Sequence, residues 1–376
     1  MCYFNYQLPK NVKKIISALK YLIPLLIIIY LAAYAFLPQS FKYNKKHILF
    51  KIKKGDSLET IAYKLYKKKA IGNFYLFYFI GFISGYSRYI EAGDYYLSPS
   101  ESPAALYYKF VNGNIATARV TIPPGTNIFQ MAKILNKNHI VKEKAFIKTC
   151  FNKDFLLSIG VNKKSIEGFL YPNTYIFKID SRPKSIIKEM YNGFKSKTAA
   201  LNLKYKDIII ASLIIKEAHG EKDMRTVSAV FKNRLKINMA LDSDPTAIYG
   251  KDLTLYDKYF NGTNNRNKYI KNNNSQNNKD NEKQSAGRDS RWRTYKFPDS
   301  MKPSYLKIKS PYNTYLNAGL PPTPISNPNL QAINAALHPK KTVYLYFIST
   351  KNGKILFART IKKQTYNINH YLNLKQ

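Results

Sequence analysis

Glu217 is placed where a proton could be held for chemistry. It closes the run Ile208-Ile-Ile-Ala-Ser-Leu-Ile-Ile-Lys-Glu217, in which seven of the eight residues before Lys216 are apolar. A carboxyl group pressed against such a helix resists ionisation and stays protonated near neutral pH, the state a general acid needs. The competing reading is an exposed helix glutamate paired with Lys216. Glu221, Asp242 and Asp244 follow in the same stretch and offer a second carboxylate if the chemistry needs two. His219 and His338 have neither each other nor a Cys or acidic cluster at ligand spacing, so no metal is expected. Neither a Ser-His-Asp signature, a Walker loop nor GxGxxG is present, and no cofactor is expected.

The elements that must position Glu217 can be read from composition and pattern. An apolar share of 45% over 376 residues supports two or three packed domains and excludes a disordered chain. Against 22 Asp plus Glu stand 61 Lys plus Arg, a net charge of +39. Such a field suits an anionic polymer, lipid or nucleic acid. The joint excess of Lys, Asn, Ile and Tyr has a second explanation, codon bias in an AT-rich genome. Tyr21 to Leu37 is an uncharged apolar run flanked by Lys10, Lys13, Lys14 and Lys20 before it and by Lys42, Lys45 and Lys46 after it. Its length fits one membrane span, and the short basic start favours a cytoplasmic N-terminus with the bulk of the chain outside. A cleaved signal peptide is the alternative, but Pro38, Gln39, Ser40 and Phe41 offer no small-x-small cleavage site. Cys2 and Cys150 fall on either side of the run, so no disulfide framework is expected.

Beyond the span, a repeat appears at an offset of 70 residues, with Ile52, Gly55, Ala62 and Leu65 matched by Ile122, Gly125, Ala132 and Leu135. Each copy reads as a strand, a glycine turn, a candidate N-cap (Asp56 or Thr126) and an amphipathic helix. The segment Lys53-Lys-Gly-Asp-Ser-Leu58 resembles the start of LysM modules, small βααβ units that bind N-acetylglucosamine-containing glycans; a plain spacer would read the same way. Residues 261–299 hold almost no apolar side chains and read as a disordered Asn/Lys-rich insertion. A short helix is expected over Asn329 to Leu337. Strands at 342–348 and 354–359 flank Asn352-Gly353, the pattern of a hairpin.

Several motifs, in order, carry a wider resemblance. They are KKGDSL (53–58), TIPPG (121–125), EGFLYPNTY (167–175), ASLIIKEA (211–218), VFKNRL (230–235), LDSDPTAIYG (241–250), SPYNTY (310–315), GLPPTPISNP (319–328) and His338-Pro339. Together they resemble the YceG-like family of membrane-anchored endolytic murein transglycosylases. The resemblance implies an α+β protein with a single N-terminal transmembrane helix, LysM-like βααβ units and a mixed α/β catalytic domain. The expected boundaries are a cytoplasmic N-terminus at 1–20, the span at 21–37, a LysM-like domain at 47–118, a second LysM-like or linking subdomain at 119–160 and the catalytic domain at 161–376.

The same resemblance implies an enzyme that cuts nascent peptidoglycan strands internally and leaves 1,6-anhydroMurNAc ends. Glu217 matches the catalytic glutamate, and Ile215 stands where relatives often carry a second Glu. Asn233, Asp244, Thr246, Tyr249, Tyr312, Asn313 and Tyr315 lie in the motif loops and suit sugar hydroxyls, acetamides and pyranose faces. Asp244 before Pro245 also reads as a turn or cap, and Arg234 as a partner of either a muramyl carboxylate or an acid. Asn173 replaces an Asp, and Gln364-Thr365 replace His-Asn, of the family pattern. Expected partners are peptidoglycan strands, the cytoplasmic membrane and, by family analogy, peptidoglycan synthases, with no nucleic acid. A hydrolytic muramidase, a non-catalytic wall-binding scaffold and a basic nucleic-acid-binding membrane protein are the rival readings.

Overall fold

The computed structural model describes residues 9–38, 47–98, 100–258, 302–350 and 352–372. The 261–299 insertion, Cys2 and the lysines at 42, 45 and 46 lie outside them. The elements run α1 (Lys10–Phe36), β1 (Ile48–Ile52), α2 (Leu58–Lys67), α3 (Phe74–Ile83), β2 (Gly93–Leu97), α4 (Pro103–Val111), β3 (Thr117–Thr121) and α5 (Ile128–Lys137). There follow α6 (Glu143–Cys150), α7 (Lys153–Ser158), β4 (Thr174–Lys178), α8 (Pro183–Thr198), α9 (Tyr205–Glu217), α10 (Glu221–Lys236) and α11 (Asp244–Tyr256). After the undescribed segment come α12 (Leu330–Leu337), β5 (Tyr346–Ser349), β6 (Ile355–Ala358) and α13 (Ile361–Tyr371). This is the mixed helix and small-sheet composition expected, with an apolar helix ahead of it.

The chain divides into two compact units, one of Met1–Ala118 with Lys178–Asp180 and one of Arg119–Phe177 with Ser181–Gln376. In the first, β1 pairs antiparallel with β2 from Ile48 opposite Leu97 to Ile52 opposite Gly93. With α2 and α3 between the strands, the order is βααβ. Its core is aromatic: Phe50, Phe77, Tyr95, Tyr107 and Phe110 are fully buried. Helix α1 is apolar over Lys14–Phe36, long enough to cross a membrane. Its last turn buries Tyr34 and Ala35, and the Tyr34 hydroxyl donates to the Asn73 carbonyl at 2.7 Å.

The repeated strand-turn-helix is present in both copies, with Gly55 at φ +89° and Gly125 at φ +78°. Such left-handed turns favour glycine because a Cβ would crowd the following carbonyl. The caps fall one residue later than the sequence suggests, at Ser57 and Asn127, whose side chains accept from Thr60 N and Gln130 N. Asp56 is taken instead by Lys53 N and the Lys64 ammonium, and the Thr126 hydroxyl donates to Pro123 O. A charged neighbour or a closer carbonyl outcompeted the capping role.

In the second unit α9, α10 and α12 pack on one another. Every residue of α9 from Ile208 to Ile215 is buried, which is the setting an all-round apolar helix requires. Ser212, the polar exception, is satisfied: its hydroxyl donates to Ile209 O and accepts from Ile325 N, while Ser326 donates to its carbonyl. The segment before α12 is thereby stitched along α9. Helix α12 is capped by the Asn329 side chain at Ala332 N, as its sequence indicates. The C-terminal hairpin is antiparallel with Gly353 at φ +79° in its turn, but its first strand begins at Tyr346 rather than 342. The Asn233 amide takes the carbonyls of Thr342 and Tyr344, so this stretch runs as an arm on α10 before it can join the ladder.

Candidate active site

Glu217 is the last residue of α9, and the next residue, Ala218, turns to an extended conformation. The buried apolar run fixes the helix and so delivers a half-buried carboxyl at its C-terminal end. Ser243 Oγ donates to Glu217 Oε1 at 2.7 Å. Burial raises the Glu217 pKa to about 7; the Ser243 hydrogen bond pulls the other way, the Asp244 charge adds to the rise, and Lys216 and Arg234 lower it. The negative end of the helix dipole also disfavours a second negative charge there. The outcome is a carboxyl that titrates near neutral pH, so that its protonated form is well populated and its proton can be released.

Ser243 occupies the N-cap position of α11, yet its side chain makes no capping bond. Its hydroxyl serves Glu217 instead. A buried knot holds it: Ser243 N donates to Thr314 Oγ1 at 3.1 Å, Thr246 Oγ1 donates to Ser243 O at 2.6 Å, and the two threonine hydroxyls meet at 2.9 Å. The strand of chain leading into Ser243 is clamped by Arg234, buried on α10. Its Nη1 reaches Ala240 O at 3.2 Å, Leu241 O at 2.8 Å and Asp242 Oδ2 at 3.3 Å, and its Nε reaches Leu345 O at 2.6 Å. Of its two expected partners, Arg234 has the acid.

The residues expected to meet sugar separate into two groups. Asp244 and Tyr315 reach the surface beside Glu217, joined by a 2.6 Å bond from the tyrosine hydroxyl to Asp244 Oδ1. Tyr312 is half-buried, its hydroxyl on Thr323 Oγ1 at 2.9 Å and its ring edge-on to Tyr249. Thr246, Tyr249 and Asn313 are buried, and their side chains hold the loops through hydrogen bonds to neighbouring chain. Asn313 holds Leu306 O and Ile308 O and accepts from Tyr315 N; Asn233 anchors the 342–344 arm.

Three residues escaped the sequence reading. Ser243 lay between two aspartates before a proline, where serine reads as a cap and nothing more. Glu167, fully buried, accepts from Ile128 N at 3.0 Å, Asn327 Nδ2 at 2.7 Å and Tyr249 Oη at 3.1 Å. Burial raises its pKa to about 8 in spite of those donors. Asn327 completes the knot: Oδ1 accepts from Gly168 N and Leu170 N, both at 2.9 Å, and Nδ2 also reaches Thr126 O at 3.0 Å. The available signal was a Glu and an Asn, each set among Gly, Pro and apolar residues in the motifs at 167–175 and 319–328. With no solvent at its carboxyl, Glu167 organises the loops under the site.

The chain is similar to several known proteins. The model of the YceG-like family matches residues 50–370. An endolytic murein transglycosylase of Bacillus subtilis (strain 168) is 30% identical over 365 residues, covering 89% of this chain and 87% of its own length. One from Streptococcus pneumoniae (serotype 2 strain D39) is 25% identical over 375 residues; the match takes 88% of this chain but 60% of that longer protein. The crystal structure of a putative yceG-like protein from Listeria monocytogenes superposes with a TM-score of 0.51 at 28% identity, covering 86% of this chain and 99% of that one.

Proposed function

This chain belongs to the YceG-like family, and from that premise we propose that it is a membrane-anchored lytic transglycosylase that cuts peptidoglycan glycan strands internally. The observation that carries the reading is the Glu217 carboxyl, raised to about 7 at the end of a buried helix with Ser243 on one oxygen. Cleavage of the MurNAc–GlcNAc bond needs a proton on the leaving oxygen as C1 gains oxocarbenium character. Neutral Glu217 gives that proton. The resulting carboxylate, steadied by the Ser243 hydroxyl, then takes the proton of the sugar's own C6 hydroxyl as that oxygen bonds C1. The product is a 1,6-anhydroMurNAc end, no water is consumed, and Glu217 finishes protonated as it began.

One carboxylate suffices for this sequence. The neighbouring acids have other partners: Asp242 pairs with Arg234 and Asp244 accepts from Tyr315. Exposed Asp244, close enough for its charge to raise Glu217, supports the second reading, a hydrolase in which it would activate water. Helix α1 would anchor the chain with its N-terminus in the cytoplasm and the site outside, where synthases extend new strands and internal cuts would end their growth. The test incubates the full chain and Glu217→Gln with purified glycan strands and weighs the products. Anhydro ends, lower by one water, are expected from the native chain and at least 1,000-fold slower from the variant, as loss of an acid–base group costs about that much. Reducing ends alone would assign hydrolysis, and unchanged release by the variant would remove Glu217 from the chemistry.

A further inference from the structure

Helix α3 is apolar on both faces. Inward, Phe77 is fully buried and stacks on Tyr107 with ring centroids 4.3 Å apart, and Gly81 lets that ring approach. Outward, Tyr75, Tyr78, Phe79, Phe82 and Ile83 are exposed, Tyr75 by 78% and Phe82 by 66%. Their spacing, i, i+3, i+4, i+7 and i+8, makes one continuous stripe. The helix carries no charged side chain along its ten residues. Tyr86 and Tyr89, also exposed, extend the aromatic surface beyond its end. A stripe of this kind in water marks a surface that is covered by something.

The neighbouring element says what covers it. The apolar helix Lys14–Phe36 has 23 residues and spans about 34 Å at 1.5 Å per residue, a little more than a hydrocarbon core of about 30 Å. Tyr34 therefore lies at the level where a bilayer meets water, and its hydroxyl is bonded to Asn73 O, the residue that caps α3. The first turn of α3 is thus tied to the last turn of the span. Ten residues are too few to cross, and tyrosine with phenylalanine is the composition that settles at head-group level.

We infer that α3 lies in the interface of the bilayer leaflet from which α1 emerges, with Tyr75, Phe79 and Phe82 against the upper acyl chains. The first unit is then held to the membrane twice, by a span and by a flat helix, and its orientation on the surface is fixed. This rests on the reading of α1 as a membrane span.

Depth-dependent quenching of tryptophan by brominated lipid tests both. Trp292, the one tryptophan of the chain, is replaced by Phe, and single probes Phe79→Trp, Tyr75→Trp and Leu26→Trp are placed in the full chain. Each is reconstituted in phosphatidylcholine vesicles brominated either near the head groups or near the bilayer centre. Leu26→Trp is expected to respond to the deep bromines. Phe79→Trp and Tyr75→Trp should be quenched at least twofold more by the shallow bromines than by the deep ones, and lose most of their sensitivity to aqueous acrylamide. A probe at 75 or 79 that stays open to acrylamide and blind to bromine, while Leu26→Trp is quenched, overturns the docking and leaves the span intact. If Leu26→Trp is also blind, the span itself fails and the docking with it. Protection from acrylamide without lipid quenching, growing with protein density, would assign the stripe to a second copy of the chain and overturn the inference.

Discussion

At the scale of the residue, the proton on Glu217 is set by a contest that substitution can tilt. Activity that needs its neutral form should fall as pH rises through about 7. Ser243 donates to the charged form and lowers that value. Ser243→Ala should therefore move the alkaline limb of kcat/KM upward by about one to two pH units, since a hydrogen bond to an ionised group contributes about 1.5–3 kcal/mol. A pH profile of the variant checks it; a limb that stays in place would mean the hydroxyl does not stabilise the carboxylate. Glu217 was legible because its neighbours in sequence are its neighbours on the helix. Ser243 was not, because its target stands 26 residues away and its position before Asp-Pro has a ready local explanation. Tyr249 and Asn313 illustrate the converse: a polar group in a motif loop serves as well to hold the loop as to meet a ligand, and only burial separates the two.

At the scale of elements, helix and strand positions followed from periodicity, whereas their exact ends depended on partners distant in sequence. The caps of α2 and α5 moved by a residue because Lys64 and Pro123 claimed the nearer candidates. The hairpin lost its first residues to a side chain on α10. Packing between elements makes two substitutions informative. A Cβ at Gly81 would overlap the Tyr107 hydroxyl, which is itself bonded to Phe77 O at 2.5 Å. Gly81→Ala should cost about 1–3 kcal/mol in urea unfolding, the usual penalty for overfilling a packed core. At Glu167 the isosteric Gln should fare little better. The protonated carboxyl still accepts through lone pairs on both oxygens, whereas the Gln amide nitrogen accepts nothing. That nitrogen must face either Ile128 N–H or the Asn327 amide, so a loss of about 1–3 kcal/mol is expected. Unchanged stability of that variant would show that the knot needs an accepting lone pair on only one of the two oxygens.

For the whole molecule, the two raised carboxyls couple folding to pH. Glu167 and Glu217 titrate at about 8 and about 7 when folded against 4.5 for an unhindered glutamate. Between 4.5 and those values the folded chain binds more protons than the unfolded one, so stability is greatest below that window and declines as pH rises through it. Thermal melts from pH 5 to 8.5 should show Tm falling, and Glu167→Gln should flatten the slope; a Tm that climbs across this range would contradict the assigned protonation. The knot around Glu167 also has a consequence in time. Asn327 bonds to Thr126 and Glu167 across 201 and 160 residues of sequence, and the segment beside it fastens α9 through Ser212. Contacts that far apart close slowly and late. A ribosome makes Glu217 and Ser243 well before it makes Asn327, so the carboxyl and its hydroxyl partner exist for a while without the loops that Asn327 fastens. Under the proposed function, Glu217 would be aimed only after Asn327 has been made and has closed on Thr126 and Glu167.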